Sequence, residues 1–132
     1  MRVALAQLPA GPDRSVNLAH ALDTMTAARQ AGADLIAFPE VILDRFFPQV
    51  PGDREALKLA EPVPGPTTDA FSALARELGI VIVLNVFERE GNATYDCSPV
   101  IDADGSLVGR TRMVHITEYP CFHEQHYYQP GN

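Results

Sequence analysis

Three groups of residues in this 132-residue chain carry enough chemistry to build a site. The first is a lone carboxylate. Glu40 closes the run Asp34-Leu35-Ile36-Ala37-Phe38-Pro39-Glu40, in which an apolar stretch is stopped by a proline. A short apolar run behind a helical pattern reads as a buried parallel strand, and ligands of open α/β sheets bind outside the carboxyl ends of such strands. Glu40 is therefore placed where catalytic groups gather. A second reading stays open, in which Pro39-Glu40 begins a short helix and the carboxylate serves the positive end of its dipole.

The second group is the tail, where His115, Glu118, His123, Glu124 and His126 are all potential metal ligands. The segment His123-Glu124-Gln125-His126 is one residue short of the i, i+4 spacing that aims two imidazoles at one ion from an α-helix. No metal is expected on that ground. The third group is the two cysteines. Cys97 falls in a strand pattern and Cys121 between Pro120 and Phe122 in a loop. Neither has the neighbouring base or helix N-terminus that activates a thiol, and the pair makes no disulfide framework or metal knuckle.

Composition limits the partners. With 10 basic and 17 acidic residues the net charge is −7, and no basic stripe exists to neutralise phosphates, so nucleic acid is not expected. No apolar run approaches the roughly 18 residues that span a bilayer. The opening Met1-Arg2-Val3-Ala4-Leu5-Ala6-Gln7-Leu8-Pro9 is too short and interrupted for a signal peptide. A reduced, cytoplasmic protein of one domain is the expectation. Lys58 is the sole lysine.

The elements that must position these groups follow from periodicity. Arg2 to Leu8 reads as a strand, and Ser15 to Gln30 as a helix with Leu18, Ala21, Leu22, Met25 and Ala28 on its apolar face. Asp34 to Phe38 is the next strand, completing a βαβ unit with parallel strands. Val41 to Pro66 is irregular, helical only near Arg54 to Ala60, and either walls a pocket or is a solvated connector. A helix from Thr67 to Leu78 ends at Gly79. Ile80 to Phe87 is a strand apolar on both faces, and Glu88 to Asn92 a turn. Thr94 to Ile101 and Ser106 to Met113 flank Asp102-Ala103-Asp104-Gly105 as a hairpin. Parallel units followed by a hairpin make a mixed α/β sheet.

Taken in order, these segments resemble the nitrilase superfamily, the carbon-nitrogen hydrolases. The likeness runs through Val3-Ala4-Leu5-Ala6-Gln7, Asn17, and Gly32-Ala33-Asp34-Leu35-Ile36-Ala37-Phe38-Pro39-Glu40. It continues through Gly79-Ile80-Val81-Ile82-Val83, Tyr95-Asp96, Ile101-Asp102-Ala103-Asp104-Gly105 and Gly109-Arg110-Thr111-Arg112-Met113-Val114-His115-Ile116. Phe122-His123-Glu124 and Tyr127-Tyr128-Gln129-Pro130-Gly131-Asn132 close it.

The resemblance implies an αββα sandwich, two mixed sheets face to face with helices outside. It also implies a Glu-Lys-Cys triad that cleaves a small amide, carbamoyl or nitrile substrate through a thioester, with no cofactor. Glu40 matches the family's general base and Glu124 its supporting glutamate. Two positions depart from the pattern. Met113 stands where the family has its lysine, and methionine neither carries charge nor donates a hydrogen bond. Arg112 next to it should point to the opposite face. The family's cysteine lies beyond the Pro-Gly-Asn segment.

Residues 1–132 are thus expected to represent roughly the N-terminal half of the domain, inactive alone and prone to form homo-oligomers through an uncovered apolar face. The alternative is a non-catalytic self-associating or ligand-binding module on the same fold.

Overall fold

The computed structural model describes residues 1–131. In chain order it contains β1 (Val3–Leu5), α1 (Arg14–Gln30), β2 (Leu35–Ala37), α2 (Pro66–Leu78), β3 (Val81–Val83), β4 (Val86–Glu90), β5 (Ala93–Ile101), β6 (Leu107–Arg112), β7 (Glu118–Tyr119) and β8 (Phe122–His123). Short 3-10 turns occur at Phe47–Gln49, Ala56–Leu59 and Glu124–His126. Helix α1 starts where the Asp13 side chain accepts from the backbone of Ser15 and Val16, which satisfies two of the first-turn N–H groups. Helix α2 ends at Gly79, whose φ of +63° is the left-handed conformation of a helix C-cap.

The sheet is mixed, as expected. β1, β2 and β3 are parallel, and β5 joins them antiparallel to β3. β4 and β6 lie antiparallel along the two edges of β5. The apolar run expected as one strand, Ile80 to Phe87, breaks at Leu84-Asn85 into β3 and β4. The register does not slip across the break: Val83 pairs with Val100 and Val86 with Cys97. The interruption is local and follows from the Asn85 side chain, which is drawn into the site described below. The turn expected from Glu88 begins later, because β4 stays paired through Glu90↔Ala93. Gly91, at φ +59°, then supplies the reversal.

Strand alternation gives the sheet two unlike faces. Ile36, Ile82 and Ile101 point toward α1 and α2 and are fully buried with Ala21, Met25, Phe71 and Ala75. Truncating such a residue to alanine costs about 2–5 kcal/mol. The opposite face carries Val3, Leu5, Ala37, Val83 and Val100. Leu5 is 80% exposed and Val3 48% exposed there, an uncommon fate for neighbouring apolar strand residues. The described residues thus form one six-stranded sheet with helices on one face, and a separate two-stranded β7–β8 hairpin. The face of the large sheet that bears Val3 and Leu5 carries no helix and is open among the described residues.

Val41 to Pro66 packs as a wall rather than a solvated connector. Arg14 of α1 ties it down, donating to the Leu59 carbonyl at 2.9 Å and to Glu61 at 2.9 Å. Phe47 from the same segment meets the rings of Phe87 and Tyr127 at 4.8 and 5.0 Å.

Candidate active site

Glu40 follows β2 at the open end of the sheet. Phe38 N–H still donates to the Val83 carbonyl at 3.0 Å, after which Pro39 ends the ladder. The chain then turns abruptly. Val41 has φ +48°, which is rare for a β-branched residue and incompatible with an α-helix starting at Glu40. The helix-start reading of Glu40 therefore fails. This strained residue is held by its surroundings: it is buried, and its N–H donates to Asn85 Oδ1 at 2.7 Å. Strain kept in place by such contacts clusters at functional sites.

Asn85 connects this turn to β5. Its Nδ2 donates to Asp96 Oδ1 at 2.7 Å and lies 3.3 Å from Ser98 Oγ. Asp96 is buried, and its carboxyl lies close enough to that of Glu40 for each to act on the other's titration. Glu124, from the last 3-10 turn, is also buried, and its Oε2 accepts from Thr117 N at 3.0 Å and Thr117 Oγ1 at 2.6 Å. Both glutamates singled out in the sequence thus reach one neighbourhood, where Asp96 joins them.

The electrostatics of this cluster are unbalanced. Glu40 is exposed by area, yet partial burial of its carboxyl, then Asp96, then Glu124 push it up to about 7. Burial also raises Asp96, against the opposing donation from Asn85. Like charges in a partly desolvated space cannot all ionise at once. A carboxyl held near neutrality is well placed to take and return a proton.

Met113 lies on the same side. Its N–H donates to the Asp96 carbonyl at 3.0 Å, extending the β5–β6 ladder by one residue. Its side chain packs into the aromatic group of Phe87, Tyr127 and Tyr128. Tyr128 is buried, and its hydroxyl has no hydrogen-bond partner among the described residues. Burial, together with Asp96, Glu40 and Glu124, drives its phenol far above the ordinary value, so it stays a neutral O–H. An open cavity of about 360 Å³ borders Tyr128, Ile116, Gln125, Gln129 and Pro130.

Arg112 is directed elsewhere, as strand alternation requires. It grips Glu88 with two hydrogen bonds of 2.7 Å and lies 3.8 Å over the Tyr95 ring. Arg110 pairs with the same Glu88 at 2.8 Å. Cys97 belongs to this second cluster: it is buried, and burial and the Glu88 carboxylate push its thiol well above the ordinary value. Cys121 sits at the exposed β7–β8 turn with φ +69°. Neither sulfur is placed as a partner of Glu40.

Residues 2–132 match the carbon-nitrogen hydrolase family. The chain belongs to that family. Among curated relatives, an N-carbamoylputrescine amidase of Solanum lycopersicum is 38% identical over 131 residues, which are 98% of this chain and 43% of the relative. A citrullinase of Francisella tularensis is 32% identical, across 100% of this chain and 46% of the relative. This carbon-nitrogen hydrolase chain therefore spans less than half the length of either. A carbon-nitrogen hydrolase structure from Helicobacter pylori G27 superposes with a TM-score of 0.92 at 24% identity, over 100% of this chain and 45% of that one. That match establishes the αββα-type fold of the carbon-nitrogen hydrolases over these residues.

Asp96 and Tyr128 enter the sequence reading only inside the motifs Tyr95-Asp96 and Tyr127-Tyr128, with no role assigned, and Asn85 has no separate signal. Asp96 and Asn85 are polar residues within strand runs, a feature that draws attention only once their register is known.

Proposed function

We propose that residues 1–132 are the base-bearing part of an amidase-type carbon-nitrogen hydrolase domain, with Glu40 as general base and Glu124 as supporting carboxylate. The observation that carries this reading is the carboxyl of Glu40, raised to about 7 at a strand exit beside Asp96 and Glu124. In the reaction, Glu40 takes the proton of a thiol as its sulfur attacks the substrate carbonyl. It returns that proton to the departing amine as the C–N bond breaks. Water then adds to the thioester, gives its proton to Glu40, and the thiol is regenerated. The thiol is supplied by the remainder of the domain, because Cys97 is committed to Glu88 and Cys121 to an exposed turn. The second sheet of that remainder would cover Val3, Leu5, Val83 and Val100. No cofactor enters the scheme.

The oxyanion needs a donor that Met113 cannot provide. The unpartnered hydroxyl of Tyr128, packed beside Met113, is the group that fits the role. For the substrate, N-carbamoylputrescine and citrulline are both carbamoylated amines, which favours a small ureido compound over a nitrile or a simple amide. The exposed apolar face also favours self-association of the chain. The competing reading is a non-catalytic binding module, for which Met113 is the supporting observation.

The deciding assay is ammonia release from N-carbamoyl amines by the full-length gene product. Turnover that falls about 10³-fold in Glu40→Gln, within the range for losing a general base, supports the enzyme. Ligand binding without turnover in the wild type supports the module. Turnover untouched by Glu40→Gln rules out the role given to Glu40.

A further inference from the structure

Glu118, His123 and His126 converge on the outer side of the tail, and the spacing argument against a metal there does not survive the fold. That argument assumed an α-helix. The tail instead forms the β7–β8 hairpin followed by a single 3-10 turn, Glu124–His126. Glu118 and His123 are a direct cross-strand pair, the geometry in which opposed side chains touch. In a 3-10 turn, side chains at i and i+3 lie one above the other, so His126 falls on the same side as His123. His123 Nδ1 is 2.7 Å and His126 Nε2 3.8 Å from Glu118 Oε1. One ligand atom from each of the three lies within 4.8 Å of the others.

We propose that Glu118, His123 and His126 form a binding site for a late first-row divalent metal ion, Zn²⁺ being the best match. Two imidazoles and one carboxylate suit such ions, with water completing the shell. Bonds of about 2.0–2.1 Å in a tetrahedron put ligand atoms about 3.3 Å apart. The hydrogen-bonded Glu118–His123 contact must open by about 0.6 Å and the His126 contact close by about 0.5 Å, adjustments within side-chain reach. The two imidazole rings are perpendicular at 83° with centroids 5.9 Å apart, and their ligand nitrogens, within 4.8 Å of each other, close toward the same separation of about 3.3 Å. The platform is braced as well: Tyr119 stacks on Phe122 at 4.7 Å, and Phe122 meets Phe46 at 5.4 Å.

The site's position gives it a consequence. His123 and His126 bracket Glu124, whose carboxylate points inward to Thr117, the neighbour of Glu118. A bound ion would clip the hairpin to the turn and fix the backbone that presents Glu124. This inference is independent of whether the domain hydrolyses anything.

Calorimetric titration of the metal-free chain with Zn²⁺, paralleled by Co²⁺ absorption spectroscopy, tests it. The expected result is one equivalent bound, d–d bands of a low-coordinate Co²⁺ centre, and affinity at least about 10-fold lower in His123→Ala and in His126→Ala. His126 is 45% exposed, so its removal leaves folding intact, which near-ultraviolet dichroism verifies. Cys121→Ser should bind as the wild type does. Absence of saturable binding, binding insensitive to His126→Ala, or binding lost in Cys121→Ser would each overturn the proposed ligand set.

Discussion

Asp96 and Cys97 are consecutive on β5, and the clusters on their two sides handle buried charge in opposite ways. On the Cys97 side, Glu88 is fully buried yet balanced by Arg110 and Arg112. Burial works to raise its carboxyl, but the Arg112 guanidinium, the Cys97 thiol and Arg110 together hold it below the ordinary value. On the Asp96 side, Glu40, Asp96 and Glu124 face one another with no guanidinium among their charge partners, and Glu40 and Asp96 are both raised. One strand thus separates a closed ion-pair network from an open acidic one. Matched charge gives a scaffold, whereas carboxyls left unmatched can still exchange a proton near neutral pH. The identity of Arg112 and Met113 follows the same division, the cation facing the scaffold and the neutral side chain facing the site.

The contrast is broken most severely by Glu40→Gln, which should lower kcat/KM of the full-length protein about 10³-fold while relieving repulsion with Asp96, so that thermal stability holds or rises. The mirror experiment is Arg112→Ala. It leaves Glu88 buried with half its compensation and should cost about 3 kcal/mol in urea unfolding. Smaller again, Tyr128→Phe should reduce kcat about 10²-fold with KM little changed, the signature of a lost oxyanion donor. An equal rise in KM with kcat unaltered would assign the hydroxyl to ground-state binding instead.

The gentlest probe is pH. The folded-state value for Glu40 lies above its unfolded value, so the native state binds more protons between about pH 4.5 and 7 and this group's contribution to stability declines as pH rises through that window. Glu88 runs the other way: its lowered value gives stability that is present above the unfolded value near 4.5 and is lost as pH falls below it. Unfolding measured across this range should show the decline toward pH 7 flattened in Asp96→Asn and the acid-side loss removed in Glu88→Gln.

Much of the scaffold was legible in the sequence because it rests on local periodicity. The apolar spacing of α1, the run into Pro39 and the Asp102–Gly105 turn each specify their element without distant partners. The break at Leu84-Asn85 was not legible, since an asparagine within an apolar run shows its purpose only when Val41 and Asp96 are seen to meet it. The site was half legible. Glu40 and Glu124 came from the order of motifs, whereas Asp96 and Tyr128 reach them through strand register and the fold of the tail. The convergence of Glu118, His123 and His126 was not legible for a related reason: helical spacing does not apply to residues that form a hairpin and a 3-10 turn.

Central to the site is a Glu40 carboxyl held near neutrality by burial first and then by its unmatched acidic neighbours Asp96 and Glu124. The most direct test is a ¹³C NMR titration of the Glu40 side-chain carboxyl in wild type and in Asp96→Asn. The expected result is an apparent pKa near 7 in the wild type and a clear downward move in the variant. An ordinary glutamate titration near 4.5, unchanged by Asp96→Asn, would contradict it.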